Sequence, residues 1–184
     1  MIKRIFDIFV SIILLLLLSP LLLVVGFLIK RDGGPAFYKQ DRVGLNGQAF
    51  RIWKLRSMVV NADKIGGYST LASDSRITAI GSFIRRTSID ELPQLINVIL
   101  GEMSLVGPRP NVPAQQSEYT PKQWAIRNSV LPGITGLAQA ELRSKASWEQ
   151  RWELDKRYVY EKSFLLDLKI IVKTALKLFS NNGN

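Results

Sequence analysis

The chain has neither cysteine nor histidine among its 184 residues. Without cysteine there is no disulfide framework and no thiolate nucleophile, which fits a reducing compartment. Without histidine there is no serine–histidine triad, no imidazole general base and almost no zinc site of ordinary type. Acidic residues are also scarce: 15 Asp and Glu stand against 25 Lys and Arg, a net charge of +10. That excess selects polyanionic partners, whether nucleic acid, phosphorylated metabolites or an anionic membrane surface. Covalent chemistry is left to Asp, Glu, Ser, Thr, Lys or Tyr. A magnesium ion held by carboxylates and substrate phosphates stays open. The length suits one domain with a real core and is short for two.

One long apolar run stands out. Residues 8–29 are interrupted only by Ser11, Ser19, Pro20 and Gly26. As a continuous helix this run would be roughly 33 Å long, enough to cross a bilayer core. Lys3 and Arg4 would suit a signal peptide, but Gly26-Phe27-Leu28-Ile29 is no small-residue cleavage site, so the segment is expected to stay attached. Pro20 cannot donate to the Leu16 carbonyl and presses on that turn, which predicts a kink. The Ser19 hydroxyl can satisfy a carbonyl freed there. Lys3 and Arg4 precede the run, Lys30 and Arg31 follow it, and this charge draws both ends toward the cytoplasm. A helix bent at Ser19-Pro20 that enters and leaves by one face meets both demands; a straight span with a tolerated proline is the alternative.

Gly33-Gly34-Pro35 separates this membrane segment, residues 1–32, from a body spanning 33–184. Residues 36–40 and 49–55 read as strands joined by Gly44-Leu45-Asn46-Gly47, a β-hairpin. Lys39, Arg42, Arg51, Lys54 and Arg56 decorate it and read as a solvated face. Residues 61–74 suggest a loop or frayed helix around Gly66-Gly67, residues 77–86 an amphipathic helix, and residues 87–100 another helix that Gly101 can end. Trp148, Trp152 and Tyr158 recur at helical spacing and read as packing residues. Residues 163–179 form a two-faced helix, with Lys169, Lys173 and Lys177 on one stripe, suited to a membrane interface. The expected class is α+β and predominantly helical.

The densest chemistry lies around Asp90-Glu91, framed by Arg85, Arg86 and Pro93. Ser88-x-x-Glu91 matches a capping box, so a helix start is the structural reading of the pair. Neighbouring residues on a helix point about 100° apart, which favours two different tasks for the two carboxylates. Further on, Gly107-Pro108-Arg109-Pro110 holds one guanidinium between two prolines, which cuts the entropy lost on gripping a phosphate. Leu131-Pro132-Gly133-Ile134-Thr135-Gly136 is a second tight loop whose small residues would let backbone N–H groups approach an anion. An acidic dyad, separate arginines in rigid turns and a membrane segment suit a diphosphate substrate. Arginines and a carboxylate-bound Mg²⁺ neutralise charge on the transferring oxygens, and an aspartate can itself accept the phosphoryl group, so that one carboxylate would attack while the other holds the metal.

Several motifs in order resemble the bacterial sugar transferase family, the monotopic phosphoglycosyl transferases. They are the stretches from Gly34 to Gly44, Phe50 to Met58, Arg85 to Gln94, Ser104 to Pro110 and Pro132 to Gln139. The resemblance runs along nearly the whole chain and implies transfer of sugar-1-phosphate from a UDP-sugar to polyprenyl (undecaprenyl) phosphate, with release of UMP. It implies Asp90 as nucleophile at the β-phosphorus, Glu91 as Mg²⁺ ligand, Arg85, Arg109 and Lys54 on phosphate oxygens, and Arg143 near the nucleotide. Ser19-Pro20 matches the family's membrane break. That favours a re-entrant helix and a monotopic protein on the cytoplasmic face of the bacterial inner membrane. No nucleic-acid partner is implied, and a homodimer stays an open option. Leu137 and Glu141-Leu142 depart from residues common in the family, which leaves the sugar undefined. Direct transfer without a covalent intermediate is an alternative mechanism, and a non-catalytic basic membrane module is an alternative function.

Overall fold

The computed structural model describes residues 1–66, 74–142 and 147–179. Helix α1, Ile2–Lys30, is long and apolar enough to cross a membrane, and most of its side chains face away from the protein. Pro20 lies inside it, and the Ser19 hydroxyl donates to the Leu16 carbonyl at 2.8 Å, replacing the N–H that proline lacks. The helix therefore carries its expected weak point with the exposed carbonyl already satisfied.

Both ends of α1 are fastened to the same body. At its start, Arg4 donates to the carbonyls of Val98 (2.6 Å) and Ile99 (3.1 Å), at the C-terminal end of α4, Gln94–Leu100. A guanidinium there satisfies orphan carbonyls and complements the helix dipole. Lys3 pairs with Asp167 at 2.8 Å, and Asp7, buried, accepts from Ser104 at 2.7 Å. At the other end Arg56 uses all five N–H donors, on Pro35 O, Met58 O, Ile29 O and both oxygens of Asp32. Arg56 is thus a buried clasp on the last turn of α1 and not part of a solvated face.

The hairpin forms as expected, with β1, Phe37–Val43, pairing antiparallel with β2, Ala49–Leu55. Asn46 and Gly47 take positive φ in the turn, as tight hairpin connections demand. β1 runs three residues further than the sequence suggests, because Asp41, Arg42 and Val43 find partners in Arg51, Phe50 and Ala49. Strand alternation sorts the cations: Lys39 and Arg51 face out, with Lys39 3.7 Å over the Trp53 ring. Arg42 and Lys54 lie on the inner face with Ile52.

After α2, Ala62–Ile65, comes α3, Ala79–Arg86, capped by the Thr78 hydroxyl on Gly81 N at 2.9 Å. α4 follows and ends at Gly101, with φ 92°, as expected of a left-handed C-cap. β3, Ser104–Val106, pairs parallel with β4, Gly133–Thr135, after the intervening α5, Pro121–Arg127. The Gly107 and Gly133 backbones are interlocked: a Cβ on Gly133 would lie 2.0 Å from Gly107 N. Gly107 N donates to Thr135 O (2.9 Å) and Gly133 N to Pro108 O (3.0 Å). Those two amides, Gly133 N of the second tight loop among them, are consumed by the fold and are not open to an anion.

The chain closes with α6, Leu137–Leu142, α7, Trp148–Glu161, and α8, Phe164–Phe179. Trp152 and Tyr158 are buried, as their spacing predicts. The largest core gathers Leu95, Val106, Val130, Leu137, Tyr158 and Ile170, against which Phe6, Val10 and Leu14 of α1 pack. A second core joins Val25 and Ile29 of α1 to Leu55 and Ile84. On α8, Leu165, Val172 and Leu176 are exposed while Asp167 and Ile170 turn inward. The lysine stripe is partly engaged: Lys173 pairs with Glu141 at 2.6 Å and Lys177 donates to the Glu141 carbonyl at 3.0 Å.

The Arg56 clasp makes a pH prediction. Hydrogen bonds from Arg56 and from Gly34 N hold the Asp32 carboxyl at about 2. A depressed acid contributes stability above its unfolded value near 4, and that contribution is lost as pH falls toward 2. The detergent-solubilised protein should lose unfolding midpoint between pH 4 and 2 more steeply than Asp32→Asn. Parallel curves would show that the clasp adds nothing.

Candidate active site

The acidic pair occupies a tight reversal between α3 and α4. After Arg85 and Arg86 close α3, Ser88 adopts φ 58°, and Ile89–Glu91 forms one 3₁₀ turn before Pro93 opens α4. Ser88 makes no side-chain cap. The capping-box reading therefore fails: with left-handed backbone at Ser88, the chain turns too early for that register. Pro93 sits at the helix head, where its missing N–H costs nothing.

Glu91 is the most heavily engaged group. Lys54 Nζ reaches its Oε1 at 2.9 Å, while the Arg109 guanidinium forks across both oxygens, Nη1 to Oε2 at 3.1 Å and Nη2 to Oε1. Although burial opposes ionisation, the charges of Arg109 and Lys54 hold Glu91 far below the usual carboxylate range. Glu91 in turn raises the Arg109 guanidinium above its ordinary value, and burial lowers Lys54. Arg109 keeps a side-chain exposure of 44%, so one side of it faces solvent.

Asp90 contrasts with its neighbour. It is buried, and among the described residues it accepts no hydrogen bond. Burial, reinforced by the Glu91 charge, pushes its carboxyl up to about 6 against the pull of Lys54, Arg85 and Arg109. Two adjacent carboxylates thus stand at opposite ends of the acid range, as division of labour requires. Arg85 is half-buried at the end of α3 and has no ion pair among the described residues, which leaves its guanidinium available to an anion.

Of the residues singled out from sequence, the structure brings together Lys54, Arg85, Asp90, Glu91 and Arg109. Arg143 lies outside the described residues. Arg42 belongs with the group and reads from sequence as a solvated charge. It donates to Pro110 O at 3.0 Å and Gln40 Oε1 at 2.6 Å, and burial followed by the Arg109 charge lowers it to about 10. Strand parity with Ile52 and Lys54 is the signal that would have placed it inward. Asn97, fully buried, ties the hairpin to α4: it accepts from Trp53 N at 3.0 Å and donates to Arg51 O at 2.8 Å. Arg127 and Asp155, a buried pair at 2.9 Å, reach the site through the Arg109 carbonyl, to which Arg127 donates at 2.6 Å. Nothing local marks either of them in the sequence.

The donor set has room for one divalent cation, with most ligands supplied from outside. Among the described residues no three acidic side chains cluster. Glu91 Oε2 accepts a single hydrogen bond and retains a lone pair. One carboxylate oxygen completed by substrate phosphates is a usual magnesium arrangement.

A family model described as bacterial sugar transferase matches residues 1–181. The chain belongs to the bacterial sugar transferase family. It is 42% identical over 98% of its length to a Klebsiella pneumoniae protein named UDP-glucose:undecaprenyl-phosphate glucose-1-phosphate transferase, of which the match covers 41%. It is also 44% identical over 98% of its length to an uncharacterized sugar transferase of Bacillus subtilis, covering 89% of that protein. A Sinorhizobium fredii exopolysaccharide production protein is 41% identical, with 99% of this chain and 87% of the relative aligned. The chain thus spans nearly all of two of these relatives but less than half of the Klebsiella transferase.

The raised Asp90 carboxyl carries a stability signature. An acid whose value rises from 3.8 to about 6 on folding penalises the folded state above pH 6. The penalty is on the order of 2–3 kcal/mol, and it fades as pH falls through 6 to 4. Asp90→Asn should therefore raise the unfolding midpoint at pH 7.5 and not at pH 4. An equal effect at both values would mean Asp90 is not held in this way.

Proposed function

We propose that this chain transfers sugar-1-phosphate from a UDP-sugar to polyprenyl phosphate, releasing UMP, through a phosphosugar carried on Asp90. The observation that carries this reading is the contrast within the dyad. Glu91 is locked in a clasp of cations, while Asp90 lies beside it among Lys54, Arg85 and Arg109 with no hydrogen bond from the described residues. A carboxylate in that state is a nucleophile that needs no activating base at neutral pH.

In the first half-reaction an Asp90 oxygen forms a bond to the β-phosphorus, the bond from that phosphorus to the bridging oxygen breaks, and UMP leaves with the electron pair. In the second, a phosphate oxygen of the polyprenyl phosphate attacks the same phosphorus, and the Asp90 carboxylate leaves unchanged. Arg85, Arg109 and Lys54 stabilise charge on the transferring oxygens. Mg²⁺, held by Glu91 and the diphosphate, would supply further charge neutralisation there. The relatives named for glucose and galactose transfer to undecaprenyl phosphate support this substrate class. A plain polyanion-binding module, the competing idea, has no use for a carboxylate that neutralises two of its cations.

The same reading places the protein on the cytoplasmic face of the bacterial inner membrane, with α1 re-entrant. A helix of 29 residues is about 43 Å long if straight, yet Arg4 near one end and Ile29 near the other both bind one body, which supports re-entry over a span. A protein domain cannot hold both ends of a helix from opposite sides of a bilayer.

Purified protein incubated with UDP-sugars and Mg²⁺, without lipid acceptor, should gain the mass of one sugar phosphate, and Asp90→Asn should not. UMP release only when polyprenyl phosphate is present, with no adduct, would favour direct transfer instead. No adduct and no UMP under either condition would return the basic module as the better function. Separately, epitope tags placed before Met1 and after Arg31 should both resist labelling from outside intact cells. External labelling of either one would mean that α1 spans.

A further inference from the structure

The loop that presents Arg109 is held by its backbone at three successive carbonyls, each from a different element. Pro108 O accepts from Gly133 N of β4 at 3.0 Å, Arg109 O from Arg127 of α5 at 2.6 Å, and Pro110 O from Arg42 of β1 at 3.0 Å. The middle donor is unusual in being a buried charge. Arg127 is 3% exposed and its partner Asp155, on α7, is 2% exposed. The Arg127 guanidinium lies 5.7 Å from the Tyr119 ring, which Trp124, Trp148 and Trp152 surround.

A buried ion pair is a poor device for stability, since apolar side chains of similar volume do as well or better. Apolar side chains cannot, however, donate to the Arg109 carbonyl. Arginine can, because its planar fork places Nε on one acceptor and Nη2 on another in fixed relation. Here Nε binds Asp155 Oδ2 at 2.9 Å and Nη2 binds the Arg109 carbonyl. Asp155 both neutralises the guanidinium and sets its direction. The prolines on either side of Arg109 leave little other freedom in the loop.

We infer that Arg127 and Asp155 form a positioning pair for Arg109, fixing its backbone so that its guanidinium meets Glu91 and, with it, the substrate diphosphate. The inference rests on the reading of Arg109 as a phosphate-binding group. Neither residue belongs to the Lys54–Arg85–Asp90–Glu91–Arg109 cluster, and both act through the loop.

The test is a double-mutant cycle read in binding of UDP to the detergent-solubilised full chain by calorimetry, comparing wild type, Arg127→Lys, Arg109→Ala and the two combined. Lysine keeps the charge but has no fork, so it cannot serve Asp155 and the Arg109 carbonyl together. Arg127→Lys should weaken UDP binding about threefold to tenfold in the wild-type background and have no further effect once Arg109 is alanine. An equal loss in both backgrounds would assign Arg127 to general packing and overturn the inference, as would no loss in the single variant. If Arg127→Lys does not fold, the paired change Arg127→Met with Asp155→Leu removes both charges together and leaves no orphaned ion. It should keep the unfolding midpoint near that of wild type and show the same dependence on Arg109; an additive loss would again overturn the pairing. Binding of UDP requires no turnover, so the cycle can be read even if no adduct or UMP release is found. A wild-type chain that does not bind UDP would overturn both readings.

Discussion

Everything at the site depends on one carboxylate being thoroughly neutralised. Lys54 comes from the hairpin, Arg109 from the loop after β3, and Glu91 from the reversal between α3 and α4. Cations drawn from such separate stretches repel one another when crowded together away from water. Glu91 lets them gather, with Arg42 and Arg85 close behind. The same negative charge adds to burial in raising Asp90, so a single side chain organises the cations and sets the state of its neighbour. The cluster is left with positive charge to offer and one carboxylate free of hydrogen bonds from the described residues.

Support for that cluster comes from contacts that hold the main chain around it. Asn97 fastens β2 to α4, the glycine interlock fastens β3 to β4, and three donors fix the carbonyls around Arg109. Each contact relates two elements whose relative placement sets a distance within the charged cluster. This is the arrangement expected when a rigid scaffold must hold its reacting groups to within a fraction of an ångström.

Local rules made part of this legible in the sequence. The hairpin followed from alternation and its Asn46-Gly47 turn, the end of α4 from Gly101, and the Ser19 hydrogen bond from the donor that Pro20 lacks. The dyad stood out because acid is rare in so basic a chain. What stayed hidden was tertiary. Arg42, Arg56 and Lys54 look alike on a strand until the inner face is known, and only then does Arg56 become a clasp and Arg42 a prop. Arg127 and Asp155 lie 28 residues apart on different helices, with nothing in either neighbourhood to announce the other. The capping box misled because its motif needs extended backbone at Ser88 itself, and that residue instead takes a left-handed conformation with φ 58° and makes no side-chain cap.

The seating of α1 has a consequence for how the protein is made. Its first residues pack against some of the last: Phe6 meets the Phe164 ring at 5.2 Å and Lys3 pairs with Asp167. The apolar helix is synthesised before the surface that receives its leading turn, and that surface is complete only once Asp167, more than 160 residues after Lys3, has been made. Throughout that interval the greasy segment must be sheltered by something other than its own protein, and a lipid bilayer is the shelter its composition suits. The closing of the N-terminal turn onto α8 thus waits for the last of the described helices.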